Sequence, residues 1–210
     1  MQRILVASGN AKKLAELESM CAGLPVELLT PADLPQGLPE VEEDADNFLD
    51  NAAKKAFAFA AAAEEQLGPG IWALADDSGL CVDALEGAPG VYSARFAGVD
   101  GDGRVAANNE LLLRRLDDLA AAERGASFWC VIAVAAPAEL LFAVDGTVAG
   151  RILEAPDGAG GFGYDPLFYH EESGCSFARL DHAQKAAVSH RGEAVAKLRE
   201  VLESVLPAAR

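Results

Sequence analysis

Ala75-Asp76-Asp77-Ser78-Gly79 sets two adjacent carboxylates after the apolar run Ile71-Trp72-Ala73-Leu74 and before a small polar turn. Consecutive side chains on a strand point to opposite faces, so the pair cannot both decorate one solvent surface. The strand's end must put at least one carboxylate in a cleft. A hard divalent cation suits such a place, because Mg²⁺ is held by one or two carboxylates plus substrate phosphates and keeps several waters. From these residues alone, an Asp-Asp pair that caps a helix or closes a turn is an equal reading.

A second constellation breaks a local rule. Lys12 and Lys13 fall in the first turn of an expected helix, where the positive end of the macrodipole disfavours cations. A bound anion would resolve the conflict: free N–H groups at Gly9, Asn10 and Ala11, with Asn10 as cap and two ammonium groups, make a phosphate cradle. The Gly-Lys-Ser/Thr run of a Walker A loop is absent. An exposed helix start whose lysines pair with Glu16 remains the plainer reading of that stretch alone.

Three further groups carry chemistry of the same kind. Glu42-Glu43-Asp44 is an acidic run, ordinarily a solvated face, ahead of a helix bearing Asn51, Lys54 and Lys55. One of these carboxylates can complete a Mg²⁺ site, and Lys55 can reach a phosphate or keep an aspartate ionised. Phe162-Gly163-Tyr164-Asp165-Pro166 sets rings among glycines, fit for stacking on a base or for a core. Ser189-His190-Arg191-Gly192, with Lys185 nearby, supplies donors for carbonyl or phosphate oxygens, or else simply opens a charged helix.

The elements that must position these groups follow from periodicity. Arg3 to Ala7 predicts a buried strand, and Leu14, Leu17, Cys21 and Leu24 recur at helical spacing after the Ser8-Gly9-Asn10 turn. Val26 to Thr30 predicts a second strand, Pro31 to Pro39 a loop, and Asn47 to Leu67 a long Ala-rich helix stopped by Gly68-Pro69-Gly70. A glycine-rich loop, Gly87 to Phe96, leads to a helix around Val105 to Leu119. Phe128 to Ala135 and Leu140 to Val148 predict a hairpin around Pro137-Ala138-Glu139. After the 158–166 glycine cluster come a short strand and a closing helix from Gly192 to Val205. No repeat or Ser-rich linker interrupts the chain, which predicts one α/β domain over residues 1–210 with a mixed sheet and two lobes.

Composition narrows the function classes. The chain has 210 residues, 51% hydrophobic, which is ample for a core and argues against disorder. A net charge of −16, from 17 Lys and Arg against 33 Asp and Glu, argues against binding a nucleic acid polymer but not a small anion. No run has the length of a membrane span, and the apolar part of the N-terminus is too short for a signal peptide, so a cytoplasmic location is expected. Cys21, Cys81, Cys130 and Cys175 lack C-x-x-C spacing and read as reduced thiols, neither a zinc site nor a disulfide frame.

Taken in order, Ser8-Gly9-Asn10-x-x-Lys13-x-x-Glu16, then Glu43, Asn51 and Lys55, then Asp76-Asp77-Ser78-Gly79, Gly87-Ala88-Pro89-Gly90-Val91-Tyr92-Ser93-Ala94-Arg95, Gly161 to Pro166, and Ser189 to Gly192 closely resemble the inosine triphosphate pyrophosphatase family. The resemblance spans nearly the whole chain. It implies an elongated two-lobed α/β domain with a central mixed sheet flanked by helices, a Mg²⁺ requirement, a homodimer, and hydrolysis of dITP, ITP and XTP to the monophosphate and pyrophosphate. By the same resemblance Asp77 is the catalytic carboxylate and Glu43 its metal-site partner. Ser8, Gly9, Asn10, Ala11, Lys12 and Lys13 bind the triphosphate, Lys55 supports phosphate and metal, and Ser78 contacts the nucleotide. Phe162, Gly163, Tyr164, Asp165, Lys185, His190 and Arg191 then hold the base and its surroundings. The family often has threonine where this chain has Ser8, and either hydroxyl can bond a phosphate oxygen.

The chemistry implied is attack on the α-phosphorus by a water that Asp77 orients or deprotonates, with pyrophosphate leaving as a metal-stabilised anion. Hypoxanthine and xanthine offer a 6-oxo acceptor to His190 or Arg191, whereas the 6-amino group of adenine would leave those donors unpaired. A pyrophosphatase for pyrimidine nucleotides, as in the related septum-inhibition family, and a nucleotide sensor without turnover are the competing readings. Activity on dTTP or UTP, or tight ITP binding without product, would mark them out.

Overall fold

In a computed structural model, which describes residues 1–8 and 10–206, the expected β1 spans Arg3–Ala7 and α1 spans Ala11–Cys21. Asn10 caps α1: its side-chain oxygen accepts from the N–H of Lys12 at 3.0 Å and of Lys13 at 3.3 Å, satisfying two of the donors a helix start leaves open. Leu24 falls beyond the helix end. β2 is confined to Glu27–Leu29, because the Thr30 backbone N–H and hydroxyl are drawn to Asp33 Oδ2, at 2.7 and 3.0 Å, to open the turn Pro31–Asp33.

α2 runs Phe48–Leu67, with Asn47 accepting from the Asp50 N–H at 2.8 Å. Gly68, at φ 90°, ends it where a side chain would be strained. The next strand corrects the sequence reading. No turn forms at Asp76-Asp77-Ser78-Gly79; β3 continues from Ile71 to Val82. β1 pairs with it in parallel only as far as Ala7 opposite Ala75. On its other side lies β4 (Gly125–Ala136), and hydrogen bonding to that neighbour keeps a buried backbone satisfied in extended form.

β5 (Glu139–Ile152) is joined to β4 by Pro137-Ala138, and both strands of this hairpin are longer than predicted. β6 (Phe168–His170) and β7 (Cys175–Ser176) complete a seven-stranded sheet of order β2-β1-β3-β4-β5-β6-β7. The sheet is mixed: β1 is parallel to β2 and β3, while β5/β6 and β6/β7 are antiparallel. α3 covers Arg104–Arg115, α4 His182–Val188 and α5 His190–Val205. α5 begins before the expected Gly192. α4, absent from the sequence reading, is announced by a capping box in which Asp181 and Gln184 exchange bonds of 2.8 and 3.0 Å.

The chain divides into two compact units. The first comprises Met1–Asp77, Cys130–Gly146 and the described residues from Arg191 on. Its core has two layers, as strand alternation requires. Ile4, Val6, Leu74, Ile132 and Val134 pack with Leu17 and Cys21 of α1 and with Ala194, Leu198 and Leu202 of α5. On the other face Leu5, Ala7, Ala73, Ala75 and Ala133 meet Ala52, Ala56, Phe59, Ala60 and Ala63 of α2. The second unit, Ser78–Trp129 and Thr147–His190, is built on Leu80, Val82, Leu112, Leu116, Phe128, Ile152, Phe168 and Phe177.

All four cysteines are thiols, and burial pushes Cys21 and Cys130 up to about 12. Among the described residues no helix is long and apolar enough to cross a membrane.

Candidate active site

Alternation along β3 separates the two aspartates. Asp76 continues the face of Leu74, toward α1 and α5, and Asp77 the face of Ala73 and Ala75, toward α2. On the first face Lys13 lies 3.5 Å from Asp76 Oδ2, and Arg191 Nη2 donates to the same oxygen at 3.2 Å. Arg191 Nη1 donates to Glu16 at 2.6 Å. Burial works against the Asp76 anion, but the charges of Lys13, Arg191 and Lys55 overcome it and hold this carboxyl well below the usual range.

On the α2 face one lysine serves two carboxylates. Lys55 Nζ donates to Glu43 Oε2 at 2.8 Å and to Asp77 Oδ1 at 3.3 Å. Asn51, one helical turn earlier, donates to Asp77 Oδ2 at 3.2 Å. Burial and the nearby Glu43 carboxyl push Asp77 up against the pull of Lys55 and Lys13. Glu43, although burial opposes its ionisation too, is held down by Lys55. Lys55 and Glu43 line a cavity of about 630 Å³ together with Leu38, Pro39, Glu40, Val41, Glu42 and Phe59.

This pair suits a hard cation. Glu43 and Asp77 present carboxylate oxygens side by side on Lys55, and Mg²⁺ needs no more from the protein than one or two carboxylates. Among the described residues no three His, Cys, Asp or Glu side chains gather to hold a metal, as a closed zinc site would require.

The expected phosphate cradle is partly engaged with itself. Gly9 lies outside the described residues. The Asn10 N–H, expected free, donates to Ser8 Oγ at 3.2 Å, because the turn folds the hydroxyl back onto the backbone. Ala11 and Lys12 are exposed at the helix start, while Lys13 is half-buried toward Asp76. Glu16, which the plainer reading pairs with the lysines, accepts from Arg191 Nη1.

The remaining candidates belong to the second unit, where Ser78 is half-buried on β3. Asp165, 2% exposed, accepts from the Phe162 N–H at 2.7 Å and from Lys185 Nζ at 2.8 Å. The Lys185 ammonium stands 4.4 Å from the Phe162 ring centroid, a cation–π contact. Tyr164 is buried and its hydroxyl donates to the Ser93 carbonyl at 2.9 Å; Gly163 is half-buried. Gly161 is required at φ 69°, where a Cβ would come within 2.1 Å of Asp165 Oδ2. His190 stacks on Phe128 with ring centroids 4.8 Å apart.

Arg191, grouped with the base-holding donors in the sequence, lies in the first unit at 1% exposure, beside the carboxylates of Glu16 and Asp76. Lys13, Glu43, Lys55, Asp76 and Asp77 gather in the first unit, and Phe162, Asp165 and Lys185 in the second. The sequence reading gave Asn51 no role, although its spacing from Lys55 on one helix face is a usable signal.

Comparison with known proteins agrees with the resemblance read from the motifs. The model of the Ham1 family matches residues 4–201. A dITP/XTP pyrophosphatase of Geobacter sulfurreducens is 46% identical over 202 residues, covering 96% of this chain and 97% of its own. One from Desulforamulus reducens is 46% identical over 200 residues, covering 95% of each chain. The solved structure of a HAM1 protein from Coxiella burnetii matches with a TM-score of 0.83 at 36% identity, over 98% of this chain and 100% of that one. The family expected from the ordered motifs is therefore the family found: this chain belongs to the Ham1 family.

Proposed function

We propose that the chain is a Mg²⁺-dependent pyrophosphatase that converts dITP, ITP and XTP to the nucleoside monophosphate and pyrophosphate, removing these non-standard purine nucleotides from the pool. The activity named for its relatives supports the substrate class. The observation that carries the reading is the sharing of Lys55 between Glu43 and Asp77, which sets the two carboxylates side by side.

In this reading Ser8, Gly9, Asn10, Ala11, Lys12 and Lys13 take the triphosphate oxygens. Glu43 and Asp77 hold Mg²⁺, which when bound supplies charge neutralisation at the phosphate oxygens and the leaving pyrophosphate. Asp77 also orients a water toward the α-phosphorus and accepts its proton as the Pα–O bond to the leaving pyrophosphate breaks. Lys55 faces both carboxylates and the developing phosphate charge. Arg191 acts from behind, fixing Asp76 and Glu16 and hence the position of Lys13.

For the base, Ser78, Phe162, Gly163, Tyr164, Asp165, Lys185 and His190 provide a ring to stack on, an ion pair to set its angle, and donors for a 6-oxo group. A site built to donate there rejects adenine by leaving buried donors unmatched. We assign the working form to a cytoplasmic homodimer.

Incubation of the purified protein with dITP and Mg²⁺, resolved by ion-exchange chromatography, tests the reading: dIMP and pyrophosphate are expected. Release of dIDP and orthophosphate would overturn the α-phosphorus assignment, and equal rates with ATP would overturn the base assignment.

A further inference from the structure

Asn51 is fully buried on the inward face of α2 and is spent on two partners. Its side-chain Oδ1 accepts the Ala45 N–H at 3.0 Å, and its Nδ2 donates to the Ala45 carbonyl at 3.3 Å and to Asp77 Oδ2 at 3.2 Å. Ala45 belongs to the irregular 41–45 segment, which has no helix or strand of its own to fix it and which carries Glu43 two residues earlier. The clasp on Ala45 supplies the backbone pairing that segment lacks. The third bond sets the rotation of the Asp77 carboxylate, turning Oδ1 toward Lys55.

We propose that Asn51 is a positioning residue that holds Glu43 and Asp77, the two carboxylates of the proposed metal pair, in one fixed geometry. The inference rests on the reading of that pair given above. An amide is the fitting group: it donates to Asp77 without adding a charge, so the carboxylates keep their negative charge for a cation. A lysine in its place would compensate that charge, and an aspartate would repel Asp77. Ordering the ligands in advance removes the conformational cost that the ion would otherwise have to meet on binding, and partners of metal ligands are typically worth about 10- to 100-fold in metal affinity.

Titration of the nucleotide-free protein with Mn²⁺, followed by loss of the free-ion electron paramagnetic resonance signal, separates this inference from the reading beneath it. Wild type is expected to bind and Asp77→Asn to bind far more weakly. Asn51→Leu, of similar size, is expected to weaken Mn²⁺ binding by about 10- to 100-fold. The Mg²⁺ concentration for half-maximal dITP turnover should rise by a similar factor, and exchange of the Ala45 amide should accelerate. Asn47→Ala, which removes the cap of the same helix and touches neither Asp77 nor Ala45, controls for loss of helix stability and should leave Mn²⁺ affinity unchanged. If wild type and Asp77→Asn bind Mn²⁺ alike or not at all, the metal pair is wrong and this inference falls with it. If Asp77→Asn loses binding but Asn51→Leu keeps it, only the role of Asn51 is refuted. Should the leucine variant not fold, Asn51→Ala is read in the same titration against the same outcomes.

Discussion

Asp76 and Asp77 are consecutive residues with opposite fates. Toward α1 and α5, two carboxylates, Asp76 and Glu16, are matched by two cations, Lys13 and Arg191, and the charge is balanced inside the fold. Toward α2, Asp77 and Glu43 share Lys55 as their ion-pair partner, and the charge of Lys13 also pulls on both without an ion pair to either. Being buried does not make a carboxylate available for chemistry, since both aspartates are buried. The ratio of cations to anions around each one distinguishes a carboxylate that secures structure from one that can still receive a metal or a proton.

The largest expected effect tests the face toward α2. Asp77→Asn removes a charge and almost no volume, and should lower dITP turnover by about 10²- to 10⁴-fold while the near-ultraviolet circular dichroism stays native. Retained activity would erase the contrast.

The balanced face should respond in stability. Arg191→Ala leaves Asp76 and Glu16 buried without their guanidinium and is expected to cost about 3–5 kcal/mol in urea unfolding. Lys54→Ala, which breaks the exposed pair with Asp44, should leave the urea midpoint in place. If both variants unfold alike, the Arg191 network has no special structural weight.

The smallest effect lies in pH, and its sign differs between the two residues. The folded pKa of Asp76 is lowered, so its contribution is complete above the unfolded value of about 3.9 and is lost as the pH falls toward the folded value. The folded pKa of Asp77 is raised, so at neutral pH its ionised form opposes folding. In metal-free buffer at pH 7, Asp77→Asn should therefore raise the thermal midpoint and Asp76→Asn lower it; shifts of the same sign would contradict the charge count.

Much of this arrangement was legible in the residues. β1, the Asn10 cap, α1 and the start and stop of α2 follow from local signals: alternation, a capping side chain, alanine-rich periodicity and a glycine stop. β3 was not, because Asp-Asp-Ser-Gly carries turn chemistry locally, and only the neighbouring strand makes extension the better solution. Motif order brought Lys55, Glu43 and Asp77 into one reading, whereas the helical spacing of Asn51 from Lys55 was a signal left unused. The partners of Arg191 were out of reach, since Glu16 and Asp76 lie 175 and 115 positions away in sequence. Nothing local marks so distant a pairing.

The alanine stripe of α2 also has a consequence. Ala52, Ala56, Ala60 and Ala63 let this helix rest close on the sheet, and the same rigid body carries Asn51 and Lys55. A methyl group added to any of those alanines would lift the whole rod and stretch contacts already at 3.2 and 3.3 Å. The tolerance for bulk along that seam is thus set by the reach of two side chains, so enlargement there should silence the enzyme while the protein still folds.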